Sequence, residues 1–395
     1  MSIVESTADY EEWLGSQTTL IAPEIQLKHQ KMAGNPFPFL RATYYRWAQL
    51  FPRHCSELNN APRVLGVGDL HIENFGTWRD KDGRLAWGVN DFDEACMIPY
   101  TNDLVRLASS AYFALADKAS GLSLDFNDAC KVIQTGYLRG LEKPQPFILA
   151  ENHRWLRDIV MKRLVEHDPL VTGRTGDDVI DRFYAKYTTL TDVQSTPEDT
   201  EAALAACCPE PVSKFKIKHR VAGLGSLGRQ RFTGVITDWQ GGIIVREAKA
   251  LVPSAWLWAN KEHDASDAAA LAEKRLYYSE ILAKSVRAAD PWLKIVDRWV
   301  VRRLGPDAFK VEVQDLGLKR GAEEELTRKL FEAMGREVGN IHSPSSPKPE
   351  YVQAHMKGLP ARWLVEGSMT MVKLIKDDFQ HWRNQFPTRA KSNAR

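Results

Sequence analysis

The chain has 395 residues, of which 44% are hydrophobic and 26% charged, and its formal net charge is +2 at pH 7. Such a length can bury a full core and predicts two lobes or domains. The nearly balanced charge gives no reason to expect nucleic-acid or membrane binding, and no apolar run approaches the roughly 20 residues that a spanning helix needs. The five cysteines lack Cys-x-x-Cys spacing, and the acidic first residues do not resemble a signal peptide. We therefore expect a cytoplasmic protein without a disulfide framework; the sequence leaves the oligomeric state open.

Apolar residues at helical spacing predict most of the first half of the chain to be helical. The periodicity favours helices over residues 7–15, about 39–52, 103–117, 126–141 and 150–166. A polar stretch rich in Thr, Ser and Pro then predicts a loop before the composition changes near residue 210.

One stretch between these helices contains the densest group of chemically capable side chains. Asp69 and Asn74 lie on a short glycine-flanked loop, and a hairpin is predicted next, with strands at 74–78 and 84–90. The second strand would deliver Asp91 to its exposed end, close to the other two side chains. A carboxylate that orients or deprotonates a hydroxyl, together with an Asn and an Asp that hold Mg²⁺, is the set that phosphoryl transfer needs.

The run Asp-Leu-His-Ile-Glu-Asn that begins at Asp69 resembles the Asp-x-His-x-x-Asn catalytic loop of the aminoglycoside phosphotransferase and choline kinase branch of the protein-kinase-like superfamily. The longer Gly-Asp-x-His-x-x-Asn-Phe-Gly loop and the following Asn-Asp-Phe-Asp-Glu motif are most similar to a bacterial family known as domain of unknown function 2252. The resemblance implies that Asp69 is the catalytic base or orienting group. It also implies that Asn74 and Asp91 are metal ligands and that Asp93 is a supporting or second-metal carboxylate.

The same resemblance assigns supporting roles to three further residues. His71 is expected to pack beneath the loop, and Asp103 to brace the loop and cap the helix that follows it. Arg41 lies in a Phe-x-x-Arg element similar to one in the bacterial family, so it is expected to be a structural or phosphate-facing member of the site rather than a solvated arginine. One departure is Val67, which stands where many kinases have a histidine.

After residue 210 the pattern changes to alternating strands around a glycine-rich segment. Strands are predicted at 215–222, 231–237 and 243–250. A Gly-x-Gly-x-x-Gly segment serves dinucleotide folds when a helix follows it, but here a β-branched strand follows, as in the glycine-rich hairpin that covers ATP phosphates in kinases. A plain glycine hairpin is the alternative. The predicted nucleotide-binding residues of this segment are Gly223, Gly225, Ser226 and Gly228.

The third of these strands offers two cations for the phosphates, on opposite faces of the strand. By its resemblance to Val-Lys-Glu-Ala in the bacterial family, Arg246 takes the lysine position and Lys249 points outward, although both are retained as candidates. A long helix predicted at 264–289 contains Glu273 and Glu280, either of which could pair with that cation. Of the two, Glu280 is taken as the catalytic candidate, and a surface salt bridge is the alternative for each.

The remaining elements complete the predicted fold. Strands at 293–303 and 308–315 would give a five-stranded antiparallel lobe, and a helix at 322–342 resembles the segment that leads from the nucleotide lobe to the catalytic loop in the phosphotransferases. Because the catalytic loop lies upstream here, we expect an α+β, protein-kinase-like fold of two lobes that is circularly permuted. The expected divisions are a helical catalytic lobe, a nucleotide lobe and closing helices, at residues 1–210, 211–320 and 321–395.

These features predict an ATP- and Mg²⁺-dependent phosphotransferase that acts on the hydroxyl of a small molecule. Three alternatives stay open. A kinase-like site could transfer AMP, as the arginine at position 246 makes conceivable, and a nucleotide-binding pseudoenzyme could act as a regulatory partner. A metal-dependent hydrolase could use Asp69, His71, Asp91 and Asp93 as ligands, although one histidine among carboxylates suits Mg²⁺ better. The acceptor and the choice between ATP and GTP are not predicted.

Overall fold

The computed structural model of the chain describes residues 1–158, 160, 177–193, 196–208, 215–261, 267–308, 323–345 and 348–387. Within these ranges the protein combines many helices with antiparallel sheets, which confirms the α+β class. No helix in these ranges has both the length and the apolar character needed to cross a bilayer. The predicted strand at 308–315 lies outside the described residues from position 309 onward.

The helices are numbered in chain order. They are α1 Ile3–Gln17, α2 Ala22–Met32, α3 Pro36–Ala42, α4 Tyr44–His54, α5 Ser56–Asn59, α6 Tyr100–Ala116, α7 Phe126–Glu142, α8 Leu149–Asn152, α9 Asp177–Thr188, α10 Asp199–Ala205, α11 Ala255–Asn260, α12 Asp267–Lys284, α13 Glu323–His342, α14 Pro349–Gly358 and α15 Trp363–Gln385.

The strands form three sheets. They are β1 Arg63–Gly66, β2 Phe75–Arg79, β3 Leu85–Val89, β4 Cys96–Pro99, β5 Phe147–Ile148, β6 Lys216–His219, β7 Arg231–Trp239, β8 Gly242–Ala250, β9 Lys294–Val296 and β10 Trp299–Leu304. A two-stranded sheet pairs β1 with β4, a three-stranded sheet has the order β2-β3-β5, and a five-stranded sheet has the order β6-β7-β8-β10-β9. All pairings in these sheets are antiparallel.

Local chemistry explains why the hairpin before Asp91 matches its prediction within a residue. The Asp80 carboxylate accepts hydrogen bonds from the backbone N–H groups of Asp82 and Arg84, and Gly83 has a φ of +76°. These contacts fix the turn, so β2 and β3 pair from Phe75 opposite Val89 outward.

Two predicted elements, the helix at 39–52 and the strand at 293–303, are each divided in two, and the closing helices are separate elements. The helix predicted at 39–52 breaks at Thr43, whose hydroxyl donates to the carbonyl of Phe39 and gives the chain a local alternative to the helix. Before Pro360, Leu359 is extended and separates α14 from α15. The strand predicted at 293–303 is the hairpin of β9 and β10, with Asp297 at a φ of +50° in its turn. This hairpin completes the five strands.

A close pair of helices joins distant parts of the chain. On α7, Gly136 and Gly140 face the backbone of α13, and on α13 Gly335 and Gly339 face the backbone of α7. A Cβ atom at any of the four would overlap a carbonyl oxygen of the other helix. The two backbones can therefore lie this close only because small residues recur at every fourth position on both helices.

The five-stranded sheet is covered on both faces. One face contributes Phe232, Ala248 and Trp299 to a cluster with Ala203 and Leu204 of α10. On the opposite face, Tyr187 of α9 packs with Val235 and Val245. The helices α9 and α10, which precede residue 210, thus pack against this sheet. The other face of the sheet turns towards the first half of the chain and contributes to the site described next.

Candidate functional site

The loop that presents Asp69 is held by a carboxylate from α6. Asp103 is fully buried, and its two oxygens accept hydrogen bonds from the backbone N–H groups of Val67 and Gly68 at 2.7 and 2.9 Å. The imidazole of His342, at the end of α13, lies 3.1 Å from the same carboxylate. The predicted bracing role of Asp103 is present in this geometry, but the capping role is wrong, because Asp103 lies within the first turn of α6 and its side chain turns to the loop.

Arg106 holds the Asp69 side chain in place. Its Nε donates to Oδ1 of Asp69 at 2.9 Å and its Nη2 donates to the same oxygen, while Nη2 also donates to the carbonyl of Leu40. The guanidinium is buried over the rings of Tyr44 and Trp47. The second oxygen of Asp69, Oδ2, makes no hydrogen bond within the described ranges, so it is available to a ligand.

Sequence reasoning missed Arg106, although a signal existed. Asp103 and Arg106 are the only charged residues in the 17-residue helix α6. Charged side chains in an otherwise uncharged, apolar helix are expected to be buried, and a buried charge needs a partner such as Asp69.

Asn74 is positioned by two backbone carbonyls. Its Nδ2 donates to the carbonyl of Asp69 at 3.2 Å and to that of Asp91 at 3.0 Å. Turning the amide over would place its oxygen against both carbonyls, so the hydrogen bonds fix its orientation. The Oδ1 atom is buried and has no hydrogen-bond partner among the described residues. An orphaned acceptor of this kind is suited to a hard cation.

The carboxylates after β3 meet a lysine from β8. The Nζ atom of Lys249 lies 3.1 and 3.3 Å from the two oxygens of Asp91 and 2.6 Å from Oδ1 of Asp93. Only 3% of the Lys249 surface is exposed. The structure thus brings both predicted acids together with one of the two predicted cations.

The outward orientation expected for Lys249 and the site role expected for Arg246 do not match this arrangement. Arg246 donates to the carbonyl of Cys207 at 2.9 Å and lies over the Trp292 ring, on the face of the sheet that α10 covers. The two residues do lie on opposite faces of β8, as their spacing of three requires. The motif comparison selected the wrong face.

The predicted partner of the cation is also different. Glu280 on α12 pairs with Lys284 at 3.0 Å, as a surface salt bridge would, and Glu273 accepts a hydrogen bond from Tyr277. The same helix instead sends Lys274 beneath the site, where its Nζ donates to the carbonyls that flank the Asp93 segment, those of Phe92 and Ala95. Burial lowers the pKa of Lys274 to about 8.

The glycine-rich segment lies directly over the loop that presents Asp69. A Cβ atom added to Gly225 would lie 3.2 Å from the carbonyl of Arg41 and 3.5 Å from Oδ2 of Asp69. Gly223 and Gly228 have φ values of +76° and +91°, which side chains rarely adopt. Close approach at one position and positive φ at two explain why glycine occupies all three positions.

An arginine cluster lies behind this segment. Arg231 donates to the Ser226 hydroxyl at 2.6 Å and to the buried carboxylate of Glu247 at 2.9 Å, and Glu247 also accepts from Arg220 and Arg302. Burial alone would raise the pKa of Glu247, but the three arginines outweigh it and hold that pKa well below its usual range. One carboxylate thus meets three guanidinium groups, which leaves an excess of positive charge near the glycine loop.

Two further basic residues that sequence reasoning missed reach the site. Arg229 lies 3.3 Å from Glu94, 3.9 Å from Asp93 and 3.1 Å from the Tyr10 hydroxyl. Lys28 comes from α2, a helix that the sequence reading also missed. It belongs to no motif, and its flanking residues Leu27 and His29 do not distinguish it from a solvated lysine.

These residues surround one cavity of about 650 Å³, counting its open mouth. His71 and Arg41 line it too, His71 buried beside the Phe37 ring and Arg41 paired with Glu73. The full lining is Tyr10, Lys28, Arg41, Ala42, Tyr44, Tyr45, Asp69, His71, Asn74, Asp91, Asp93, Glu94, Gly223, Leu224, Gly225, Ser226 and Arg229. The cavity therefore combines acids, an amide oxygen, cations and backbone groups, as a metal-bound polyphosphate would require.

The donor set fits Mg²⁺ held jointly by the protein and a phosphate ligand. Asn74 offers a free amide oxygen, and Asp91 and Asp93 offer hard carboxylate oxygens next to it. Across the described ranges, no three His, Cys, Asp or Glu side chains are grouped so that they could hold a metal by themselves. A hydrolase centre built from protein ligands alone therefore lacks support in this cavity.

Residues 20–153, which contain the Asp69 loop and both acids after β3, match the model of a family described as uncharacterized protein conserved in bacteria, domain of unknown function 2252. No curated protein and no solved structure shows a significant match to the chain. The matched region ends before the glycine-rich segment and β8, so the family match covers one side of the cavity. The matched residues contain the motifs on which the resemblance to this family was predicted.

Proposed function

We propose that the protein is an ATP- and Mg²⁺-dependent phosphotransferase that acts on the hydroxyl of a small molecule. One observation carries the proposal: the glycine-rich loop lies over Asp69 while Lys249 joins Asp91 and Asp93 beneath it. Two segments more than 150 positions apart in the chain thus build one cavity with the parts that phosphoryl transfer needs.

The roles follow from the contacts. Bound Mg²⁺ would be held by Asn74 and Asp91, with Asp93 beside them, and would neutralise charge on the phosphates. Lys249 is the cation nearest these acids, and the backbone of the glycine loop covers the nucleotide phosphates. Asp69, fixed through one oxygen by Arg106, directs its other oxygen at the acceptor hydroxyl and takes its proton. The acceptor oxygen then bonds to the terminal phosphorus while the bond from that phosphorus to the bridging oxygen breaks and ADP leaves.

The architecture proposed with this function is a permuted, kinase-like arrangement of two lobes. Its support is the approach of the glycine loop to Asp69 and the course of α13, whose terminal His342 reaches Asp103 under the catalytic loop. AMP transfer was considered because an arginine stood at the presumed lysine position. That reason no longer holds, since Lys249 rather than Arg246 contacts the acids.

The test is to measure the unfolding temperature of the protein with and without a nucleotide and Mg²⁺. Mg²⁺ with ATP or GTP should raise the unfolding temperature of the wild type, because a ligand at 100 times its Kd adds about 2.7 kcal/mol to the free energy of unfolding. Asp91→Asn should remove the shift. Asp82→Asn, in the exposed turn of the same hairpin, is the matched control and should keep it.

If no nucleotide shifts the wild type, the proposal is wrong and a nucleotide-independent regulatory protein becomes the better reading. If nucleotide binds but incubation with labelled ATP and metabolite fractions yields no labelled product, a nucleotide-binding pseudoenzyme is indicated. Labelling by the α-phosphate rather than the γ-phosphate would indicate AMP transfer.

A further inference from the structure

We infer that Lys28 binds the terminal phosphate of the nucleotide, the group that is transferred. This inference rests on the proposed function and adds to it a residue from α2, which none of the motifs contains.

Lys28 is a buried cation that has no counter-ion among the described residues. Only 2% of its surface is exposed, and no carboxylate of the described chain lies within ion-pairing distance of its Nζ. Its contacts are a long hydrogen bond of 3.4 Å to the carbonyl of Gly225 and the face of the Tyr45 ring, whose centroid is 5.7 Å away. A buried ammonium normally has an ionic partner, and this one lines the cavity.

The other charged groups near it are paired with one another. Arg229 pairs with Glu94 and Asp93, and Lys249 pairs with Asp91 and Asp93. Among the described lysines and arginines that line the cavity, Lys28 is therefore the one without an ion pair. Burial lowers its pKa to about 8, so it remains mostly protonated at neutral pH and lacks only an anion.

Its position indicates which anion. Lys28 contacts Gly225, and Gly225 is also the glycine that approaches Oδ2 of Asp69. The lysine is thus placed at the tip of the glycine loop next to the acid proposed to activate the acceptor, whereas Lys249 lies at the metal-binding acids. A phosphate within reach of both Lys28 and Asp69 is the one undergoing transfer, because the attacking hydroxyl must lie between that phosphate and the acid.

Calorimetric titration can separate this role from general nucleotide binding. Wild type, Lys28→Met and Lys28→Arg are each titrated with Mg²⁺-ADP and with the Mg²⁺ complex of a non-hydrolysable ATP analogue. Lys31→Met, an exposed lysine of α2, is the matched control. We expect Lys28→Met to weaken binding of the ATP analogue by about tenfold or more while ADP affinity changes by less than about twofold. Lys28→Arg should restore most of the loss, and the control should behave as wild type.

The outcomes are distinguishable. Equal weakening of both nucleotides, or no change in either, overturns the role of Lys28 and leaves the proposed function intact. If the wild type binds neither nucleotide, the proposed function fails and this inference fails with it. Unfolding curves show whether the variants fold, and Lys28→Met should be at least as stable as the wild type without ligand, because it removes an uncompensated buried charge.

Discussion

Glu337 allows a quantitative test of how α13 is held against the β2–β3 hairpin. This residue of α13 is buried against β3: one carboxylate oxygen lies 3.4 Å from the N–H of Val89, two residues before Asp91, and the other lies 3.3 Å from Nδ2 of Asn340. Burial raises the pKa of Glu337 to about 7 from the usual 4.5, although Arg287 opposes the shift. The folded protein therefore holds a proton that the unfolded chain releases at lower pH.

The direction of the pH effect follows from that difference. Between about pH 4.5 and pH 7 the folded state binds the proton more tightly, so the free energy of unfolding falls as the pH rises through this window. Raising the Glu337 pKa from 4.5 to about 7 corresponds to about 3 kcal/mol of unfolding free energy, all of which is lost once the pH is well above both pKa values. Between about pH 5 and pH 8, roughly 2.5 kcal/mol of stability should be lost through this one carboxyl.

Urea unfolding of the wild type and Glu337→Gln, at intervals from about pH 5 to pH 8, measures the effect. The difference between the two curves isolates Glu337, because the other titrating groups are common to both. As the pH rises from about 5 to 8, the free energy of unfolding of the variant should increase relative to that of the wild type, by up to about 2.5 kcal/mol. Glu324→Gln, an exposed substitution on α13, is the control and should parallel the wild type. Parallel curves for Glu337→Gln would refute the reasoning.

Three further substitutions test other parts of the structure. Lys249→Met should reduce Mg²⁺-ATP affinity by about tenfold or more, whereas Arg246→Met should leave it near wild type, as measured by calorimetry; the reverse result would restore the original motif assignment. Arg106→Met should abolish phosphoryl transfer, and it should lower the free energy of unfolding by about 2 kcal/mol because Asp69 loses its charged hydrogen bonds. An active variant would contradict the role given to Asp69. Gly339→Ala should lower the free energy of unfolding in urea by about 3 kcal/mol, because α7 and α13 would be forced apart. Gly358→Ala, which has open space around it, is the control and should not change it measurably. Equal values for the two variants would show that the helix contact is not tight.

The success of sequence reasoning depended on how local the signal was. The β2–β3 hairpin was placed almost to the residue, because its turn chemistry is contained within a few positions. The approach of the glycine loop to Asp69 was anticipated from motif order, although the two segments are far apart in the chain. Both depend on backbone features that a few glycines and acids encode directly.

The failures have physical causes. Strand periodicity showed that Arg246 and Lys249 face opposite ways, but both faces of the sheet are covered, so burial could not identify the face belonging to the site. Glu280 was a candidate only by analogy, and the helix supplies Lys274 to the site instead. Lys28 carries no local signal, since a buried lysine is recognisable only when the packing around it is known.

The ion pair between Asp91 and Lys249 also bears on how the protein is made. The two residues are 158 positions apart. At a ribosomal speed of roughly 5–20 residues per second, the lysine is synthesised on the order of 8–30 seconds after the acid. During that interval the nascent chain carries Asp91, Asp93 and Glu94 without the basic residues that neutralise them, and α7 has no glycine partner until α13 follows. Newly made chains of this protein thus pass through a long interval of unbalanced negative charge, which ends only when the second half of the chain has left the ribosome.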